Sequence, residues 1–195
     1  MTKILNKAYW ENRYQEQETG WDIGLVSTPL KEYIDQLKNK KIKILIPGAG
    51  NGYEFEYLHQ AGFLDVFVID IAMTPLKNIQ QRMPHLDAKH LINQDFFELE
   101  EQYDLILEQT FFCALSPILR KAYVEKMASL LKPKGKIVGL LFEFPLTAEG
   151  PPFGGSKEEY LSLFDKHFTL KVMETAYNSI KPRAGKELFV QFEKK

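Results

Sequence analysis

A glycine-rich turn and an acidic residue downstream of it have the types and spacing of a nucleoside-binding site. Gly48, Gly50 and Gly52 alternate in "ILIPGAGNGYEFEYLHQAG" (44 to 62), between an apolar run and an amphipathic one. Because glycine has no Cβ, such a chain can turn sharply and lie flat against a ligand. Asp70 ends the next apolar run, 22 residues after Gly48. A carboxylate at that position can accept hydrogen bonds from both hydroxyls of a ribose.

The spacing of these glycines differs from that of a dinucleotide-binding turn. Such a turn requires glycine at its first, third and sixth positions, which correspond to residues 48, 50 and 53 here, but residue 53 is Tyr. A nicotinamide-dependent oxidoreductase is therefore an alternative that the sequence disfavours. Taken alone, the glycines are equally compatible with a tight strand-to-helix turn that binds no ligand.

Strand and helix patterns alternate along the chain and place these residues at strand ends. Four short apolar runs are typical of strands buried on both faces: "KIKILIP" (41 to 47), "LDVFVID" (64 to 70), "YDLILEQ" (103 to 109) and "KIVGLLFEF" (136 to 144). "HLIN" is a weaker candidate strand, and Asp95 follows it. Segments with helical spacing lie between the runs, so the sequence predicts a parallel, doubly wound α/β sheet. "FTLKVMETAYNSI", "KPRAG" and "KELFVQFEKK" predict a final hairpin with an antiparallel last strand.

Four helix starts carry capping sequences. In three of them a hydroxyl residue precedes proline, and we expect the hydroxyl to cap the free backbone amides: Thr28-Pro29, Thr74-Pro75 and Ser116-Pro117. A fourth segment, Ser156-Lys157-Glu158-Glu159, fits a capping box. Pro84 and the segment Lys132-Pro133-Lys134-Gly135 are predicted to end helices.

Length and composition predict one domain that acts on small molecules. A chain of 195 residues with 45% apolar residues can bury one substantial core. A net charge of -1 gives no attraction to nucleic acid or to an anionic membrane. The single cysteine and the absence of a leader pattern in "MTKILNKAYWENRYQ" predict a cytoplasmic location. The four histidines lack metal-ligand spacing, so no metal is predicted. No pattern indicates an oligomeric state, and a monomer is compatible with the sequence.

Several motifs occur in a characteristic order over nearly the whole chain. They are "IPGAGNG" with Asp70, Asp95-Phe96, "YDLILEQ", "TGWDIGLVSTPL" (19 to 30), "TFFCALSPILR" (110 to 120), "LLKPKGKI" (130 to 137) and "GPPF" (150 to 153). Together they resemble class I S-adenosylmethionine-dependent methyltransferases of the thiopurine S-methyltransferase family, and most closely its halide and thiol methyltransferases. The resemblance implies a Rossmann-like sandwich, with a seven-stranded, mostly parallel sheet, an antiparallel last strand and helices on both faces. It also implies one domain over 1 to 195, with a lid at 1 to 40 and the core at 41 to 195.

The resemblance implies bound S-adenosylmethionine. Trp10 and Tyr14 are four residues apart and share one helix face. With Trp21 they match three aromatic residues that fold over the cofactor in the family, where all three are usually Trp. Gln109 stands where the plant-type relatives tend to carry Tyr, at a position that makes an adenine-side contact, and Asp95 is expected near the adenine edge. The implied cofactor-binding residues are Trp10, Tyr14, Trp21, Gly48, Gly50, Gly52, Asp70, Ile71, Asp95, Phe96 and Gln109.

The implied reaction is an in-line displacement of the methyl group by a small soft nucleophile: a thiol, bisulfide, a thiopurine-like thiol or a halide. Attack of an anion on a sulfonium destroys charge, so a dry aromatic pocket accelerates it. Halides carry no proton, and a thiol with a pKa of about 8.5 is partly ionised near neutral pH, so no general base and no catalytic residue are predicted. The candidate pocket residues are Trp21, Phe111, Phe112, Cys113, Leu115, Pro152 and Phe153.

The roles of two side chains and the function of the protein each have an alternative interpretation. Cys113 has no basic neighbour in sequence and is interpreted as a structural thiol rather than a nucleophile. Arg183 is interpreted as a solvated turn residue, with steering of an anionic substrate as the alternative. The protein could also be a non-catalytic module that binds S-adenosylmethionine. Methylation of nucleobase amino groups is disfavoured, because Glu108-Gln109-Thr110-Phe111 replaces the Asn/Asp-Pro-Pro-aromatic stretch common in such enzymes.

Overall fold

Seven strands form one mixed sheet at the centre of the fold. The computed structural model describes residues 4–195. The strands are β1 (Ile44–Pro47), β2 (Val66–Asp70), β3 (Leu91–Asn93), β4 (Tyr103–Gln109), β5 (Leu131–Phe142), β6 (Phe168–Thr175) and β7 (Glu187–Lys194). Their spatial order is β3-β2-β1-β4-β5-β7-β6. Strands β1 to β5 pair in parallel, whereas β7 is antiparallel to both β5 and β6, which confirms the predicted antiparallel last strand.

Helices cover both faces of the sheet. They are α1 (Lys7–Gln15), α2 (Thr28–Gln36), α3 (Tyr53–Gln60), α4 (Met73–Arg82), α5 (Arg120–Leu130) and α6 (Lys157–Phe164). Residues of α2, α3 and α4 belong to one buried apolar cluster, and residues of α5 and α6 belong to another. In β4, Ile106 faces the second cluster while Leu105 and Leu107 face the first, as the alternation of side chains along a strand requires. The doubly wound α/β prediction is confirmed. None of the helices within residues 4–195 combines the length and apolarity needed to cross a membrane.

The strand bounds follow the predicted runs with shifts at their ends. β4 has its predicted bounds, whereas β1 and β2 begin at Ile44 and Val66, later than the apolar runs suggested. β5 begins at Leu131, earlier than predicted, because Leu131 already pairs with Tyr103 of β4 ahead of an irregular stretch of the ladder. The segment 132 to 135 therefore follows the end of α5, as predicted, but belongs to β5.

The predicted hydroxyl caps are wrong at all three proline-containing helix starts. The helices begin near the predicted positions, but the residue preceding each of them makes no side-chain cap hydrogen bond. At α4 the preceding residue is Ala72, and the amides of the first turn are instead capped by the carboxylate of Glu11 from α1. A distant side chain has thus replaced the local cap, which no sequence motif at the helix start reveals.

The capping box at α6 forms only in part. Ser156 Oγ accepts a hydrogen bond from the amide of Glu159 (3.3 Å). The carboxylate of Glu159 does not close the box, because it pairs with Arg120 (2.5 Å). Arg120 also donates to the carbonyl of Gly154 (2.6 Å), so this ion pair fixes the loop before α6.

The order of the strands creates a topological switch point at β1, where a ligand can bind. β1 has β2 on one side and β4 on the other, and the chain winds outward in opposite directions from it. In open α/β sheets, ligands bind outside the carboxyl ends of the strands at such a point. The glycine turn follows β1 directly, and Asp70 and Gln109 end the two neighbouring strands.

Candidate active site

A cavity of about 690 Å³ lies at the carboxyl ends of β1, β2 and β4. It is lined by every residue predicted to bind the cofactor, Trp21 among them, and by four more of the predicted pocket residues. These residues are Trp10, Tyr14, Trp21, Gly48, Gly50, Gly52, Asp70, Ile71, Asp95, Phe96, Gln109, Phe111, Cys113, Leu115 and Pro152. The structure therefore brings together, around one space, predicted residues that are up to 142 residues apart in sequence.

The three alternating glycines have different roles. All three have positive φ, at 74° for Gly48, 51° for Gly50 and 74° for Gly52. A Cβ at Gly48 would lie 2.8 Å from the ring of Phe111, and one at Gly52 would lie 2.6 Å from Ile79. A Cβ at Gly50 would meet nothing within 4 Å and would point into open space. All three line the cavity, but Gly48 and Gly52 are also required for packing, whereas at Gly50 no protein atom lies near the place of a Cβ.

Asp70 ties the end of β2 to the glycine turn. Its Oδ2 accepts a hydrogen bond from the amide of Ala49 (2.9 Å), and its Oδ1 accepts one from the amide of Ala72 (2.8 Å). Burial raises the pKa of the carboxyl to about 6, although these amide hydrogen bonds oppose the shift. Each carboxylate oxygen has a further lone pair, so Asp70 can still accept hydrogen bonds from a ligand in the cavity.

Three aromatic side chains from the first part of the chain cover the cavity. The ring of Trp21 contacts Trp10 at 5.6 Å and Tyr14 at 5.5 Å between centroids, both edge to face. The guanidinium of Arg13 lies 5.9 Å from the centre of the Trp21 ring. Burial raises the pKa of the Tyr14 hydroxyl, and the nearby Asp70 charge raises it further, so Tyr14 is neutral. The three aromatic residues therefore lie together at the cavity, and their contact with a cofactor stays a prediction.

The ends of the cavity differ in chemistry. Asp95 follows β3 on one side of Asp70, and its Oδ1 accepts a hydrogen bond from the amide of Phe97 (2.9 Å). Gln109 ends β4 on the far side of β1, away from the predicted adenine position. Its Oε1 is buried and has no hydrogen-bond partner among the described residues. A buried carboxamide oxygen without a partner costs free energy, which a ligand that donates a hydrogen bond would recover.

Phe112 and Phe153, two of the predicted pocket residues, lie outside the cavity lining. Phe112 is 1% exposed and packs edge to face against Tyr123 (5.1 Å) and Tyr160 (5.6 Å) in the core. Phe153 is buried, and its amide donates to the carbonyl of Cys113 (2.8 Å). Phe112 and Phe153 are buried, whereas the residues that precede them, Phe111 and Pro152, line the cavity.

Cys113 is a buried thiol, in line with the interpretation drawn from the sequence. Burial raises its pKa, and the Glu108 carboxyl raises it further, so the thiol stays protonated. Its Sγ donates to the carbonyl of Thr110 (3.4 Å). Glu108 is itself fully buried, and burial raises its pKa to about 7. Its carboxylate accepts hydrogen bonds from the amides of Phe111 (2.8 Å) and Phe112 (2.9 Å), which fixes the turn after β4.

Sequence reasoning missed several polar residues around the cavity. The carboxylate of Asp22 accepts hydrogen bonds from the amide of Gly24 (2.7 Å), the hydroxyl of Tyr53 (3.4 Å) and the amide group of Asn51, and so ties the segment between α1 and α2 to the glycine turn. Its place in the "GWDIG" motif was the available signal.

Within residues 4–195, no three His, Cys, Asp or Glu side chains form a group able to hold a metal ion.

Arg183 is not the solvated turn residue that was predicted. Its side chain is 11% exposed, lines the cavity and pairs with the buried Glu187 (3.3 Å). Its Nη2 donates to the carbonyl of Trp21 (2.7 Å), so the last hairpin contacts the segment between α1 and α2 directly. The prediction was wrong because the turn at residues 181 to 183 places Arg183 within reach of Glu187 and of the Trp21 carbonyl, contacts that no local pattern reveals.

Comparisons with known proteins identify the family of the chain. Residues 5–194 match the family model of thiopurine S-methyltransferase. The chain is 31% identical over 156 residues to the probable thiol methyltransferase 2 of Arabidopsis thaliana, with 77% of this chain and 69% of that protein covered. It is 26% identical over 200 residues to thiocyanate methyltransferase 1 of Arabidopsis thaliana, with 98% and 87% covered.

A solved structure supports the fold. The 1,6-didemethyltoxoflavin-N1-methyltransferase of Burkholderia thailandensis, solved with its substrate and S-adenosylhomocysteine bound, has a TM-score of 0.78 at 20% identity, with 96% of this chain and 86% of that chain covered. The low identity limits this likeness to the fold. The family match spans nearly the whole chain, and the chain belongs to the thiopurine S-methyltransferase family.

Proposed function

We propose that the protein transfers a methyl group from S-adenosylmethionine to a small soft nucleophile. The acceptor is a thiol, bisulfide, a thiopurine-like thiol or a halide. The observation that carries the proposal is the cavity of about 690 Å³, in which the bare backbone of Gly50 lies beneath an aromatic cover. The names of the relatives support a sulfur acceptor, since two of them are described as thiol and thiocyanate methyltransferases.

The residues around the cavity fit an adenosyl sulfonium. Asp70 would accept hydrogen bonds from the ribose hydroxyls, with Ile71, Asp95 and Phe96 around the adenine. The open space in front of Gly50 suits close contact between backbone and ligand. The orphaned Oε1 of Gln109 suits a donor at the other end of the cavity, where an amino acid group would lie, rather than the adenine-side contact that the resemblance implied. When bound, S-adenosylmethionine supplies an electrophilic methyl group on a positively charged sulfur.

The chain contributes positioning and exclusion of water. Trp10, Tyr14 and Trp21 cover the cavity with aromatic surface, which favours a reaction that destroys charge. Phe111 and Pro152 line the same space and would form the wall against the acceptor. Holding two reactants in line contributes up to about 7 to 11 kcal/mol in favourable cases. The protonated Cys113 and the hydrogen-bonded Glu108 are unsuited to act as bases, so we assign no catalytic residue.

The lid at 1 to 40 is proposed to act with the core at 41 to 195 as one domain. The near-zero net charge favours a small-molecule acceptor over nucleic acid or a membrane surface. A cytoplasmic location, the absence of a metal and a monomeric state remain predictions of the sequence.

A turnover panel tests the proposal. The purified protein is incubated with S-adenosylmethionine and, separately, with bisulfide, small organic thiols, a thiopurine, iodide and thiocyanate. Volatile methyl products are detected in the headspace, and S-adenosylhomocysteine is measured in solution. We expect methylated product from at least one sulfur or halide acceptor. Binding of the cofactor without turnover of any acceptor would instead support the non-catalytic module.

A further inference from the structure

We propose that Glu11 is a positioning residue that holds the lid helix α1 over the cavity by capping the first turn of α4. The inference rests on the proposed function only in treating the cavity as the cofactor site. Its structural basis is the contact between Glu11 and the amides of Met73 and Thr74.

The contact has the geometry of a helix cap supplied from another helix. Glu11 Oε2 accepts hydrogen bonds from the amides of Met73 (2.8 Å) and Thr74 (3.4 Å). Its Oε1 accepts a hydrogen bond from the hydroxyl of Thr74. The residue that precedes α4 is Ala72, which has no side chain able to cap these amides. A carboxylate at a helix N-terminus is also favoured by the helix dipole.

Besides Glu11, the side chains that hold α1 are Trp10 and Tyr14, whose rings pack edge to face against Trp21. None of the residues of α1 is buried, and α1 has no apolar face directed at the core. The helix packs against α4, and Trp10 and Tyr14 line the cavity. Glu11 lies between these two aromatic residues in sequence, so its contact with α4 sets their position over the cavity.

The predicted ribose site and the lid are bound by two consecutive backbone amides. The amide of Ala72 donates to Asp70 (2.8 Å), and the next amide, that of Met73, donates to Glu11 (2.8 Å). A ligand that orders Asp70 therefore orders the same turn that Glu11 binds. Closure of the lid and binding of the cofactor should consequently favour each other.

The protein contains two tryptophans, Trp10 and Trp21, and both lie in the lid. Tryptophan fluorescence, excited at a wavelength at which the nine tyrosines do not absorb, therefore reports on the lid alone. The variants Glu11→Ala and Glu11→Gln are compared with Glu16→Gln, which removes the same charge at an exposed position in the residue that follows α1. Acrylamide quenching of ligand-free protein and the Kd for S-adenosylhomocysteine are measured for each, with thermal unfolding to establish that the core is folded.

We expect Glu11→Ala to increase quenching and to raise the Kd about tenfold, as loss of a helix cap does, with a smaller effect for Glu11→Gln and none for Glu16→Gln. Thr74→Val should weaken binding as well, and the double variant with Glu11→Ala should be no weaker than Glu11→Ala alone. Quenching and Kd equal to those of the wild type in a folded Glu11→Ala protein would overturn the proposal. If the wild type binds no S-adenosylhomocysteine, the proposed function fails, while quenching of the ligand-free variants still decides the role of Glu11.

Discussion

Asp70 at the end of β2 accepts a hydrogen bond from the amide of Ala49, in the glycine turn that follows β1 (2.9 Å). The two strands are neighbours in the sheet, so this one contact joins the predicted ribose site to the backbone that faces the cavity. Asp70 therefore both shapes the turn beside Gly50 and offers its remaining lone pairs to a ligand.

Asp70→Ala should weaken binding of S-adenosylhomocysteine by about 1 to 3 kcal/mol, the usual effect of losing a buried, charged hydrogen-bond partner. Asp70→Asn should also weaken binding, because its amide group would face one of the two backbone amides that now donate to the carboxylate. Isothermal titration calorimetry measures both effects. Unchanged affinity in either variant would mean that the ribose lies elsewhere.

The pH dependence of binding should follow the same carboxyl. Burial raises the pKa of Asp70 from 3.8 to about 6 in the ligand-free protein, while ribose hydroxyls would bind its ionised form. Affinity for S-adenosylhomocysteine should therefore fall as the pH drops below about 6. The ligand-free protein should show the opposite trend in stability: between pH 3.8 and 6 the folded state binds more protons than the unfolded state, so the free energy of unfolding falls as pH rises.

Glu54 and Glu108 also have pKa values raised by burial, so their protonation adds to the pH dependence of the protein. Titrations of the wild type and Asp70→Asn from pH 5 to pH 7 separate these groups. The loss of affinity at low pH should disappear in Asp70→Asn; if it persists unchanged, another carboxyl is responsible.

Gly50→Ala should strongly weaken cofactor binding, because Gly50 lines the cavity and the space that a Cβ would fill is left open for a ligand. The backbone at Gly50 has φ of 51°, so the substitution also costs about 1 to 2 kcal/mol of stability. Gly62→Ala is a matched control, because Gly62 has φ of 87° and open space in front of it but lies away from the cavity. Both variants should lose stability, and only the first should lose affinity. Equal affinities would refute close contact at Gly50.

Phe111→Ala and Phe112→Ala should have different effects, although the residues are adjacent. Phe112 is fully packed in the core, so its truncation should lower the free energy of unfolding by about 3 to 5 kcal/mol. Phe111 lines the cavity, so its truncation should cost less stability and raise the KM for the acceptor. Chemical denaturation and steady-state kinetics measure the two effects. A larger loss of stability for Phe111→Ala would contradict this assignment.

Cys113→Ala should keep methyl transfer within a few-fold of the wild-type rate. The thiol is held protonated by burial and by the Glu108 carboxyl, so it is not available as a nucleophile. The rate is measured with the best acceptor of the panel. A loss of more than a hundredfold in a stably folded variant would assign Cys113 a chemical role.

The sequence predicts the parts of the site that depend on local patterns. Gly50 and Asp70 could be found because a strand, a turn and the end of the next strand have fixed positions in a doubly wound sheet. Trp10 and Tyr14 could be paired because residues four apart share a helix face. The resemblance in motifs added Trp21 and the residues near the adenine.

Contacts between segments that are distant in sequence could not be predicted from local patterns. Which of Phe111 and Phe112 faces the cavity depends on the turn that Glu108 fixes through two backbone amides. The contact of Arg183 with the carbonyl of Trp21 joins segments 162 residues apart, and no local pattern encodes it. The cap of α4 by Glu11 was missed for the same reason, since the hydroxyl and proline at the helix start predicted a local cap.

The most direct test of the central claim is a titration of the purified protein with S-adenosylmethionine and, separately, with NAD. We predict saturable binding of one S-adenosylmethionine per chain, with no binding of NAD in the same concentration range. A protein that binds NAD, or that leaves S-adenosylmethionine free in solution, would contradict the assignment of this cavity to an adenosyl sulfonium.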